Sequence, residues 1–378
     1  MTSSIHIGFF STVHPHPWAP TKGVFNQGLL TSLTEAGASV AAVVPVPWTE
    51  RRGGKSNVDP EYEVHYPLWF YLPRFAPLRL AAQMRLCTAA ARRRLSRPDV
   101  VLSYWTDPDG TVASRWAAEL GIPFVQMVGG SDVLLLGNQS ARRERMVRTL
   151  ESAAHVLTIG PGLRSTLEGW GLDAKKLSVF QRGVDHTRFF PAPQAQARER
   201  LGLPGDRPIL AWAGRLVDVK GLDVLLSALT DPVLIHLRPL VLLLGDGPNR
   251  RSLEATALAT LPIDTVRFIG KVPQVELPDW YRAADLMVLP SRSEGVPNVL
   301  VEAMACGTGF VASSVGGIPE LASEPSLELV PPGNPAALAS TLIRRLNVGF
   351  HAVRPVPDSR ETAAGLLELM RDVITRWP

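Results

Sequence analysis

Asp285-Leu286-Met287-Val288-Leu289-Pro290-Ser291-Arg292-Ser293-Glu294-Gly295-Val296-Pro297-Asn298 begins as an unbroken apolar run, passes through a short loop and ends where a helical pattern starts. The run does not alternate, so it reads as a strand buried on both faces, the signature of a parallel sheet. Pro297 suits the first position of a helix that stops at Gly307. Glu294 therefore stands on the loop at a helix N-terminus, and Glu302, eight positions on, lies two turns inside. Free N–H groups at such a terminus favour an anion. Gly295, Val296, Pro297, Asn298 and Val299 can thus seat a phosphate while the two carboxylates accept hydrogen bonds from sugar hydroxyls. A Pro-started helix with two solvated acids would read the same way.

The same strand–loop–helix unit recurs on either side. Upstream come strands at 209–213, 240–244 and 266–269, with helices at 222–229, 250–260 and 277–283; a strand at 310–313 follows. An earlier series has strands at 5–10, 39–44, 100–103, 124–128 and 156–159, separated by helices at 24–36, 111–120 and 141–153. Phe189-Phe190-Pro191-Ala192-Pro193 reads as a linker between the two series. The expectation is an α/β protein of two Rossmann-like domains, 1–188 and 189–357, facing a cleft lined by the carboxyl ends of their strands. An amphipathic helix closes the chain from Asp358 to Trp377.

At 378 residues, 46% hydrophobic and 20% charged, the chain is globular and too long for one core. No apolar stretch reaches the ~18–20 residues of a spanning helix. Two distant cysteines, Cys87 and Cys306, suggest a reducing compartment without a disulfide framework. A cytoplasmic protein is expected. The net charge is only +4, but Arg74 to Arg97 holds seven arginines and no acid, interleaved with apolar residues. That segment reads either as a basic amphipathic helix docking peripherally on an anionic membrane or as a solvated face. No nucleic-acid-binding signature accompanies it.

Strand ends supply the candidate chemistry. Gly214-Arg215-Leu216 follows one strand and Lys220-Gly221 opens the next helix, so a bidentate fork and a mobile point charge flank one loop, suited to a diphosphate. Together with Glu294 and Glu302 they read as a nucleotide-sugar site. Val272, after Gly270-Lys271, can offer backbone groups to a nucleobase. Gly23 precedes the first long helix and lets backbone approach a phosphate. His14 and His16 have metal-like spacing, yet no acid or cysteine neighbours them in sequence, and a loop role near the acceptor is the better reading. Trp105 can wall a sugar, and Ser131 and Asp132 can bind an acceptor hydroxyl or cap a helix. No Gly-x-Gly-x-x-Gly is present, which disfavours a dinucleotide cofactor.

The set resembles family 4 of the glycosyltransferases, retaining enzymes of the GT-B fold. Gly214 to Gly221 resembles its Gly-Arg-Leu-x-x-x-Lys-Gly, and Glu294 to Glu302 its Glu-x7-Glu. Gly316-Gly317-Ile318-Pro319-Glu320 and Gly183-Val184-Asp185 with Phe189 also resemble its motifs. The resemblance implies Arg215 and Lys220 on the diphosphate, Glu302 on the ribose, Glu294 and the amides after it on sugar and phosphate, and Gly23 closing from the other domain. It implies a metal-free reaction with a nucleotide sugar as co-substrate and a glycan, lipid-linked or small-molecule acceptor. It also implies that helix 358–378 returns to the first domain. The alternatives are an epimerase or sugar-phosphate-forming synthase of the same fold, or a non-catalytic partner of another transferase. Two departures stand out: Gly129-Gly130-Ser131-Asp132 replaces the family's His-Gly-Ser-Asp, and Gln181-Arg182 replaces its Pro-Asn.

Overall fold

The computed structural model describes residues 4–51, 55–58, 60–70, 80–134, 136–322, 327–348 and 356–378. Contacts divide the chain into two units, Met1–Gly183 with Pro357–Pro378, and Val184–Val356. The division falls ahead of the expected linker because Val184 and Phe189 are already buried in the second core.

Among the described residues the first unit has nine strands: β1 (His6–Phe10), β2 (Ser39–Val43), β3 (Val46–Pro47), β4 (Glu63–His65), β5 (Leu68–Trp69), β6 (Val100–Tyr104), β7 (Phe124–Val128), β8 (His155–Thr158) and β9 (Leu177–Val179). Seven form a parallel sheet in the order β4-β2-β1-β6-β7-β8-β9, and β3 pairs with β5. Strands β6 and β7 are buried at every residue, as continuous apolar runs require. The final helix, Ser359–Arg376, belongs to this unit: Ala363, Leu366, Leu367 and Met370 join Ile7, Phe9, Leu30 and Leu33 in its core. Leu366, Leu367 and Met370 each contribute roughly 1.5–3 kcal/mol of burial, enough to fix the returning helix.

Among the described residues the second unit has six strands: β10 (Ile209–Ala213), β11 (Leu240–Leu244), β12 (Val266–Gly270), β13 (Leu286–Leu289), β14 (Phe310–Ser313) and β15 (Leu327–Val330). Their order is β12-β11-β10-β13-β14-β15, all parallel. This is a doubly wound sheet whose strand order reverses between β10 and β13. In the first sheet the reversal lies between β1 and β6. Ligands of open α/β sheets bind beyond the carboxyl ends of strands at such a reversal.

The basic segment is a helix over Leu80–Arg94, with Arg74 and Arg79 outside the described residues. Its Met84, Thr88, Ala91 and Arg92 are buried. Arg85 and Arg92 pair with Glu119 at 2.5 and 3.1 Å, and Arg97 donates to the Leu120 carbonyl at 2.7 Å. The helix therefore turns Met84 toward its own domain, and Ala82, Arg85, Leu86, Ala90, Arg93 and Arg94 are exposed. Among the described residues no helix is long and apolar enough to cross a membrane.

Candidate active site

In the second unit the loops after β10 and β13 are locked together. Gly221, at φ +65°, lies so close to the Pro290 carbonyl that no side chain fits there. The Arg292 N–H donates to the Val219 carbonyl at 2.8 Å, and its guanidinium donates to the Asp218 carbonyl at 2.8 Å. The same guanidinium grips both Asp223 oxygens at 2.8 and 2.6 Å. That pairing holds the Asp223 carboxyl below its ordinary pKa and raises Arg292 above its own.

This clasp sets Lys220 against Glu294, with Nζ 2.6 Å from Oε1. Ser291 Oγ, fully buried, donates to the same oxygen at 2.6 Å. Oε2 of Glu294 has no hydrogen-bond partner among the described residues, so one carboxylate oxygen is anchored and the other is left for a ligand. Arg215 stands on the same loop as Lys220, exposed and without an ion pair among the described residues. Beneath the β13 loop the Gly317 N–H donates to the Gly295 carbonyl at 2.9 Å.

Pro297 is the N-cap (φ −75°, ψ 118°) of the helix Asn298–Ala305 and not its first residue. Glu302 consequently lies one turn inside, not two. The N–H groups of Gly295, Val296 and Val299 have no acceptor among the described residues, which leaves them for an anion. Glu302 Oε2 accepts from the Tyr281 hydroxyl at 2.8 Å. Burial lifts the Glu302 pKa, while Tyr281 and the nearby Arg188 charge pull it down. Val272 follows β12, half-buried against the second core.

The first unit places its expected residues differently. Gly23 is the N-cap of the helix Val24–Glu35 at φ +65°, and a Cβ there would lie 2.5 Å from the Val13 carbonyl, so only glycine is accommodated. His14 is fully buried: Nδ1 meets the Pro15 carbonyl at 2.7 Å and Nε2 the Tyr62 hydroxyl at 2.6 Å. Burial pushes its pKa down to about 4. With both ring nitrogens occupied, His14 is a packed core group and not a loop residue free for an acceptor. His16 does have an acidic neighbour, Glu50, 2.9 Å from Nε2. Among the described residues, however, no three His, Cys, Asp or Glu groups converge as a metal site would require.

Asp132 is likewise consumed by structure. It accepts from the Thr106 N–H and hydroxyl at 3.0 and 2.9 Å, and from the Gly129 and Val133 N–H groups at 3.0 and 3.1 Å. Burial raises its pKa against the pull of these donors. Ser131 begins the short helix Ser131–Leu134. Trp105 is half-buried at φ +78°, with its ring 6.5 Å from that of Tyr104.

The two departures from the family pattern meet at Tyr104. A Cβ on Gly129 would collide with the Tyr104 hydroxyl, so the phenol fills the space that a side chain at 129 would need. Arg182 stacks 5.0 Å from the Tyr104 ring and 3.8 Å from Phe25, which itself meets Tyr104 edge-on at 5.2 Å. Gly129 and Arg182 thus both lie against Tyr104.

The sequence assigns no role to Ser291, Arg292 or Tyr281, and reads Tyr104 only as part of a strand-end stretch, with Trp105, that can wall a sugar. Tyr281 carried a faint signal, a phenol in a short helix just before β13; Ser291 and Arg292 carried none beyond membership of the loop.

Known proteins match this architecture. Residues 23–188 match the family described as Glycosyltransferase Family 4, and residues 207–347 match Glycosyl transferases group 1. The chain is 29% identical over 359 residues to the putative teichuronic acid biosynthesis glycosyltransferase TuaC of Bacillus subtilis, covering 89% of this chain and 88% of that protein. It is 42% identical over 166 residues to the D-inositol 3-phosphate glycosyltransferase of Thermobispora bispora, covering 41% of this chain and only 38% of that relative. Among solved structures, sucrose-phosphate synthase from Thermosynechococcus elongatus superposes with a TM-score of 0.79 at 22% identity, over 99% of this chain and 100% of the other. Anabaena HepE in complex with UDP and glucose superposes at 0.72 and 18% identity, over 98% and 100%. Two doubly wound domains, with the last helix returned to the first, make this a GT-B fold. The chain belongs to glycosyltransferase family 4 and is a sugar-transferring enzyme.

Proposed function

We propose that the chain is a retaining glycosyltransferase that takes a sugar from a nucleotide-sugar donor and builds a cell-surface polysaccharide or glycolipid. The observation that carries this reading is the Lys220–Glu294 contact of 2.6 Å at the point where the second sheet reverses strand order. Lys220 and Arg215 take the diphosphate, aided by the free amides of Gly295, Val296 and Val299. Glu294 takes the sugar through its unpartnered oxygen, Glu302 takes the ribose, and Val272 lies beside the base. As the C1–O bond to the diphosphate breaks, the new C1–O bond to the acceptor forms on the same face, and the acceptor hydroxyl's proton passes to the departing diphosphate oxygen. Negative charge growing on the leaving group is met by fixed cations and amides, so no metal is assigned.

A donor of this class is supported by the UDP and glucose in the HepE complex. The acceptor class is supported by the name of the TuaC relative. With His14 and Asp132 committed to structure, acceptor recognition on the first unit falls to Trp105 and the segment at Ser131. Arg93, Arg94 and Leu86 are the exposed groups available for peripheral contact with an anionic membrane.

The test is a thermal-shift panel of UDP-, GDP- and ADP-sugars, followed by transfer assays in which the product anomer is read by NMR. A donor that stabilises the chain and a product of retained configuration are expected. An inverted product, or acceptor-independent conversion of one nucleotide sugar into its epimer, contradicts the proposal.

A further inference from the structure

Tyr281 lies on the helix Leu277–Ala283 and is completely buried, yet its hydroxyl is directed at a carboxylate and not at a backbone carbonyl. Three contacts fix it. Its O–H donates to Glu302 Oε2 at 2.8 Å, its carbonyl accepts from the Thr308 hydroxyl at 2.8 Å, and its ring lies 6.2 Å from that of Phe189. Oε1 of Glu302 has no hydrogen-bond partner among the described residues. A carboxylate anchored through one oxygen can present the other in a single direction; an unanchored one rotates about its last bond and loses entropy on binding.

We infer that Tyr281 is a positioning residue for nucleotide recognition, its hydroxyl holding Glu302 so that Oε1 is pre-set to accept from a ribose hydroxyl of a nucleoside diphosphate. The inference rests on the assignment of Glu302 to the ribose. It adds a buried tyrosine outside the loops of the site as a determinant of ribose selectivity. The hydroxyl also opposes the burial that favours the protonated, non-accepting form of Glu302. Tyr281 thus aims the acceptor and favours its ionised form.

The probes are UDP and 2′,3′-dideoxy-UDP, or the GDP or ADP pair if one of those ribonucleotides stabilises the chain more, measured by calorimetry on the full chain. Wild type is expected to prefer the ribonucleotide by about tenfold or more, the worth of a charge-assisted hydrogen bond. Glu302→Ala, which leaves no acceptor, should bring the ratio close to one. Tyr281→Phe, which keeps the ring and removes only the O–H, should narrow the ratio severalfold while leaving the dideoxy affinity where it was. A general packing defect would instead weaken both probes equally, and that result overturns the inference. So does an unchanged ratio in Tyr281→Phe when Glu302→Ala abolishes it, an outcome that leaves the ribose assignment intact. An unchanged ratio in Glu302→Ala removes the ribose assignment itself, and the inference with it. Thermal melts establish that each variant is folded, and Tyr281→Phe combined with Glu302→Ala should show no further loss of selectivity.

Discussion

Lys220 Nζ lies 2.6 Å from Glu294 Oε1, joining residues 74 apart in sequence across the reversal of the second sheet. Their side chains retain 24% and 9% exposure, so the pair is screened from water on most sides yet reachable. A ligand that carries both negative phosphates and hydroxyl groups can engage each partner separately without stripping either of hydrogen bonds.

The two partners should fail differently. Lys220→Ala removes the cation for the diphosphate and should weaken the nucleoside diphosphate and its nucleotide sugar alike. Glu294→Ala should leave nucleoside diphosphate binding nearly intact while abolishing the added affinity from the sugar. Transfer should fall by roughly 10²–10³ in each, the usual loss when a group facing transition-state charge is removed. Calorimetry with the nucleotide and the nucleotide sugar separates the two.

The Arg292–Asp223 ion pair is largely exposed, and such pairs contribute about 1 kcal/mol or less. Arg292 also holds the Asp218 carbonyl and hence the loop that carries Lys220. Arg292→Ala should therefore lower thermal stability little and raise the donor KM severalfold. A large loss of stability with unchanged KM would contradict the clasp.

Gly129→His restores the family's histidine but drives its Cβ into the Tyr104 hydroxyl. Overpacking of this kind costs about 1–3 kcal/mol. Trimming the obstacle in Tyr104→Ala should recover part of that loss, so the double variant is expected to melt above the sum of the single effects. Strict additivity would show that the two positions do not compete for space.

Asp109 is fully buried, with Oδ1 accepting from the Thr12 N–H and Oδ2 without a hydrogen-bond partner among the described residues, and burial raises its pKa to about 7. The folded chain therefore holds a proton that the unfolded chain releases above the ordinary carboxylate value. Stability from this group is complete at low pH and declines as pH rises toward 7, by an amount on the order of a few kcal/mol. His14 acts in the opposite sense: its folded pKa of about 4 lies below the unfolded value of 6.5, so stability is lost as pH falls from 6.5 toward 4. Denaturant titrations of Asp109→Asn should show a flatter decline between pH 4 and 7 and greater stability than wild type at pH 8. An unchanged slope would mean that Asp109 is ionised in the fold.

Strands buried on both faces were legible because burial imposes unbroken apolar runs: β7, β10, β11 and β14 fall where the sequence places them. The edge strand β15, Leu327-Glu328-Leu329-Val330, was not read, since its Glu328 is accommodated by Arg344 and Arg345 from the helix Pro335–Val348. The loop residues Lys220 and Glu294 were readable as types suited to a diphospho-sugar, but their contact depends on a strand order that no local pattern encodes. His14 looked like a loop residue because the group that buries it, Tyr62, lies 48 positions away. Likewise nothing near Gly129 or Arg182 announces that Tyr104 links them.

The most direct measurement is a crystal structure of the chain soaked with the nucleotide sugar that stabilises it most. The diphosphate is expected against Lys220, Arg215 and the Gly295, Val296 and Val299 amides, with the sugar on Glu294 Oε2. Density for the donor anywhere other than the carboxyl ends of β10 and β13, with the Lys220–Glu294 pair undisturbed, would contradict it.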